Sequence, residues 1–154
     1  MRFFSKSERL EIENILLYYI KTANDLPRNE NKGVKIMETF ITHGIDKPSY
    51  FSDPINKKIF KILLTMHERN LLINTDFFQR FLEKNKTLER DDKNKIFERF
   101  LFNKINEHYS PLYFEHYMYT FKEHLIMDYW NFILDKQNEN IWNTDDVLEN
   151  SFGI

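Results

Sequence analysis

Gly33, Gly44 and Gly153 are the only glycines in 154 residues, and four prolines complete the supply of strong chain breakers. Sandwiches and barrels of short strands need turn signals every ~8–12 residues, drawn from glycine, proline, asparagine and aspartate. A chain with so few breakers favours long helices joined by few connections. The sequence therefore predicts an all-α fold, a compact bundle of five to seven helices with a long C-terminal helix able to project as an arm.

The same shortage of glycine removes whole classes of chemistry. Neither a P-loop nor a dinucleotide fingerprint can be written with glycine only at 33, 44 and 153. With no cysteines there are no disulfides, thiolate metal sites or thiol nucleophiles. Lysine and arginine number 22 against 24 acidic residues, a net charge of −2 that leaves no overall nucleic-acid footprint. The N-terminal "MRFFSKSERL" lacks the apolar core of a signal peptide. "ILLYYI" is far shorter than the ~20 residues that span a bilayer. A soluble, cytoplasmic protein without cofactor or membrane association is expected, as a monomer or weak dimer.

Helix starts are well marked. Ser5 and Glu8 have capping-box spacing ahead of Leu10, Ile12, Ile15, Leu16, Tyr19 and Ile20, which keep helical spacing to about Thr22. "ANDLPRNENKG" is a loop by composition, and a shorter helix from Val34 to His43 stops at Gly44. Asp53-Pro54 is a cap followed by a first-turn proline, with Ile55, Ile59, Ile62, Leu63 and Met66 behind it. Asn74 or Thr75 caps a helix carrying Phe78 and Leu82; Asp91 or Asp92 opens another through Ile96, Phe97 and Phe100. Ser110-Pro111 repeats the cap-then-proline pattern, and "KQNEN" is expected to end the last long helix near Lys136. Asn143 or Thr144 then caps a short final turn.

That last helix is the anomaly. Phe114, Tyr117, Met118, Phe121, Leu125 and Tyr129 suit one core-facing stripe, while Tyr119, Ile126, Trp130 and Ile133 make another on a different side. Met127, Phe132 and Leu134 widen the apolar arc. Either the helix is central and covered by the others, or its C-terminal half holds a partner. Trp, Tyr, Phe and Met are the residues enriched in interface cores.

Other sites are weaker. His116 and His124 lie eight residues apart, two turns rather than the single turn that brings two ligands to one ion, so no metal site is expected. The serines at 5, 7 and 110 suit caps, and no carboxylates converge in sequence, so no catalytic residue is assigned. Lys57, Lys58 and Lys61 form a basic cluster that would support at most weak, salt-sensitive nucleic-acid contacts.

"SYFSDPINKKIFKILLTMHERNLLINTDFFQRFLEKN" resembles the N-terminal helical domain of DnaB-type replicative helicases, in its aromatic pair Tyr50-Phe51, then Ile59-Phe60 with Leu63 and Met66, then Ile73-Asn74, then Phe78 to Leu82. "SERLEIENILLYYI" and "YFEHYMYTFKEHLIMDYWNFILDKQ" are more similar to the helicase-binding C-terminal domain of bacterial DnaG-type primases, which shares that fold. The resemblance covers roughly residues 7–136. It implies a globular part at 5–108 and a long helix with a short hairpin or arm at 109–150. It also implies a non-catalytic module that binds the replicative helicase in primosome assembly, the parent primase being a DNA-directed RNA polymerase. Carried onto this chain, the docking residues are Tyr129, Trp130, Phe132 and Ile133, with Trp142 added. The alternatives are a DnaB-type N-terminal domain or a stand-alone phage or plasmid relative, binding primase or helicase, and a small helical nucleic-acid-binding regulator.

Overall fold

The computed structural model describes residues 5–22, 32–102 and 113–143, with side chains at 5–20, 35–101 and 113–138. The described residues form six α-helices: α1 (Lys6–Thr22), α2 (Lys32–Thr42), α3 (Pro54–Glu68), α4 (Thr75–Lys84), α5 (Arg90–Ile96) and α6 (Phe114–Asn143). A 3₁₀ turn at Pro48–Tyr50 precedes α3, and a π-helical stretch at Phe97–Phe102 extends α5. No strand occurs among the described residues, so the all-α expectation holds.

The ends follow from local chemistry. Ser5 Oγ accepts the Glu8 N–H at 3.2 Å. Asp53 Oδ1 accepts from the Ile55 and Asn56 amides at 2.9 and 3.0 Å, and Pro54 takes the first helical position. Asn74 Oδ1 takes the Phe77 N–H at 2.8 Å. Two helices close with the same hydrogen-bond pattern, in which a left-handed residue lets two amides turn back on the last carbonyls. At α2, Gly44 (φ +82) donates to Ile41 O and Ile45 to Phe40 O; at α3, Asn70 (φ 56) donates to His67 O and Leu71 to Met66 O.

Three expectations need correction. α2 begins at Lys32 and takes Gly33 into its first turn. α5 is capped by Glu89, without a side-chain bond, and not by Asp91 or Asp92, which sit inside its first turn. α6 does not stop near Lys136: "KQNEN" stays helical to Asn143, which makes the helix about 45 Å long. Gln and Asn cost only a few tenths of a kcal/mol each against the best helix formers, and no proline or glycine intervenes. The expected Ser110-Pro111 cap and any turn beginning at Thr144 lie outside the described residues.

One core runs through α1, α2, α3, α4, the α5 extension and the first half of α6. Phe40, Phe51, Phe60 and Phe121 are wholly buried, with Phe51 4.6 Å from the Phe60 ring and 5.2 Å from that of Phe121. Phe78 meets Phe100 at 4.4 Å. Each such side chain contributes about 1.5–3 kcal/mol relative to exposure. Met118 and Phe121 belong to this core, so the first half of α6 packs with the preceding helices. The expected boundary near 108 itself falls outside the described residues.

Candidate interaction surface

On α6, burial stops abruptly. Met118, Phe121 and His124 are buried at helical spacing, and no described side chain after His124 is. Tyr129 is 61 % exposed, Trp130 54 % and Phe132 57 %, while Ile133 is half-buried. Tyr119, Ile126 and Leu134 are exposed as well. The sequence had allowed Tyr129 a place on the core-facing stripe; it lies beyond the body instead. Of the remaining docking candidates, Trp142 lies on the α6 backbone with its side chain outside the described residues.

The exposed rings organise one another and nearby cations. Tyr129 and Trp130 meet edge to face at 6.2 Å, and Lys136 Nζ stands 5.3 Å from the Phe132 ring centre. Lys122 Nζ lies 5.8 Å from the Tyr119 ring centre and 3.4 Å from His43 Nδ1. These rings are large, with few rotors to order on binding, which is why such residues dominate interface energetics.

Below the exposed half sits a polar anchor that sequence reasoning missed. Arg9 and Glu13 are charged residues of α1, yet they are 7 % and 0 % exposed. Arg9 Nε donates to Glu13 Oε2 at 3.0 Å, Nη1 to Asp128 Oδ2 at 2.7 Å and Nη2 to the Tyr50 carbonyl at 2.6 Å. Its guanidinium carbon lies 5.0 Å from the centre of the Phe121 ring. Glu13 also accepts from the Ser52 N–H and Oγ–H at 2.8 and 2.6 Å, the Asp53 N–H at 3.4 Å and Asn56 Nδ2 at 3.2 Å. Arg99 pairs with Asp53, joining the α5 extension to the same region. Multiple donors to a buried carboxylate compensate its desolvation, and here they fasten α1, the start of α3 and α6 together. The i,i+4 spacing of Arg9 and Glu13 was visible, but nothing in it distinguishes a buried pair from a solvated one.

An open cleft of about 370 Å³ adjoins this anchor, lined by Lys6, Leu10, Pro54, Met127, Asp128 and Asn131 among others. His124, 2 % exposed, also lines it. Burial, and secondarily Arg9, holds its imidazole below the ordinary 6.5, against opposing pulls from Asp128, Glu8 and Glu123. Glu13 and Arg9 are already engaged with one another and with the backbone, so they form an anchor and not a poised acid–base pair.

Lys57 and Lys61 are exposed on α3, whereas Lys58 is half-buried and paired with Asp92 at 2.8 Å. No group of three potential metal ligands occurs among the described residues. No helix among them is long and apolar enough to cross a membrane. Comparison with known protein families, curated proteins and solved structures finds no match to this chain.

Proposed function

We propose that the chain is a non-catalytic interaction module that docks a partner protein through the second half of α6. The observation that carries this is the exposure of Trp130, together with Tyr129 and Phe132, on a helix whose base is fixed by the buried Arg9–Glu13 pair. Large aromatics at solvent are unfavourable unless something covers them, and the rigid base limits the entropy lost on docking. For the partner, the primase-like pattern of "SERLEIENILLYYI" and of α6 favours the N-terminal domain of a DnaB-type replicative helicase. In this reading the module couples primase to helicase during primosome assembly.

Titration of the purified chain against a helicase N-terminal domain tests this by calorimetry at low salt. Trp130→Ala and Phe132→Ala should each weaken binding by about 2 kcal/mol with the far-ultraviolet circular dichroism unchanged. A chain from the helicase side of the same pair would bind the primase domain instead, so both belong in the experiment. Binding to neither removes the proposed partner class.

A further inference from the structure

We infer that the cover for α6 is a pair of helices from the partner, with acidic residues on the seam between them. This rests on the docking reading above and adds the partner's chemistry. At 3.6 residues per turn, the apolar side chains Phe132, Tyr129, Ile133, Ile126, Trp130 and Leu134 spread over about 200° of the helix circumference. All but the half-buried Ile133 are exposed. One amphipathic helix covers a stripe little wider than about 100°. A single docking helix would leave either Phe132 or Trp130 in water; two helices closing a three-helix bundle around the end of α6 cover both.

Charge fixes the seam. Lys122, Tyr129 and Lys136 recur at seven-residue steps and so lie along one line of α6. This line falls between the direction of Phe132 and that of Ile126 and Trp130. The two lysines stand about 21 Å apart along the axis, each beside an aromatic ring. Two apolar partner helices meeting over this line would desolvate both ammonium groups, which requires carboxylates opposite them. A second copy of the chain does not supply these: laid antiparallel and centred on Tyr129, it sets Lys122 against the other copy's Lys136.

The test uses two synthetic αα-hairpins designed to complete a three-helix bundle with residues 122–136, one with glutamates and one with lysines on the seam. A single glutamate-edged helix and phosphatidylglycerol vesicles serve as comparisons. Trp130 fluorescence in a Trp142→Phe background reports binding to the full chain. The glutamate hairpin should bind at least tenfold tighter than the single helix and than the lysine hairpin. Lys122→Glu combined with Lys136→Glu should reverse the charge preference, and Phe132→Ala should weaken binding of the glutamate hairpin at least tenfold.

Equal binding of the single helix, or indifference to seam charge, overturns the inference. So does burial of Trp130 by self-association or by the vesicles alone. If the helicase domain binds but its affinity ignores the double charge reversal, the seam falls while the proposed function stands. If the hairpins behave as expected and the helicase domain does not bind, the partner's identity falls and the two-helix cover stands.

Discussion

Arg9 Nη1 lies 2.7 Å from Asp128 Oδ2, across 119 positions of sequence. The bond is asymmetric in a useful way: the Arg9 side chain is 9 % exposed and that of Asp128 62 %. It joins the start of α1 to the point where α6 leaves the core. The guanidinium is the anchor and the carboxylate its wet end.

That asymmetry predicts unequal costs. Arg9→Met strips the buried Glu13 carboxylate of its charged partner and should destabilise by about 3–5 kcal/mol. Asp128→Asn removes a partner that water partly replaces, and should cost no more than about 1 kcal/mol. Urea denaturation of the two variants measures both. Equal losses would mean that Arg9 is held mainly by Asp128 and not by the Glu13 cluster.

The different visibility of these features in the sequence has a physical origin. Ser5, Asp53 and Asn74 were readable as caps because capping is local: a side chain bonds an amide two or three residues away. Ile59, Leu63 and Phe121 were readable as core because helical period marks the buried face. Arg9 was not, because its burial depends on α6 packing over α1 from the far end of the chain. The same holds for the burial of His124. The exposure of Trp130 was undecidable from composition, since a central helix and a docking helix are equally rich in aromatics.

His124 makes stability depend on pH with a defined sign. Its native pKa is held below the ordinary 6.5 by burial first and Arg9 second. On acidification below about 6.5 the unfolded chain takes up this proton before the native protein does. Stability therefore falls as pH drops from about 6.5 and levels off once the native imidazole also protonates. The urea midpoint should decline over this window in the native sequence, and His124→Gln should flatten the decline. An unchanged profile in the variant would assign the pH dependence to other groups.

Asp53 serves two partners at once, capping α3 through the Ile55 and Asn56 amides while pairing with Arg99. Asp53→Asn keeps an oxygen for the cap and loses only the charge, so its cost should be the smaller. Asp53→Ala loses both, adding the ~1 kcal/mol typical of a missing N-cap. Thermal unfolding of the pair separates cap from ion pair. If both variants lose the same stability, the cap contributes nothing beyond Arg99.

Phe121 and Phe132 give the cleanest test of where the body ends. Eleven residues is close to a whole number of turns, so both rings leave α6 in nearly the same direction. Phe121 is wholly buried against Phe51, whereas Phe132 is 57 % exposed. Phe121→Ala should therefore destabilise by about 3–5 kcal/mol through lost burial and the cavity left behind. Phe132→Ala, the same change on the same line of the same helix, should stay within about 0.5 kcal/mol while weakening partner binding. Unfolding midpoints compare the two directly, and a large loss for Phe132→Ala would mean that its ring is covered within the chain and is not a docking residue.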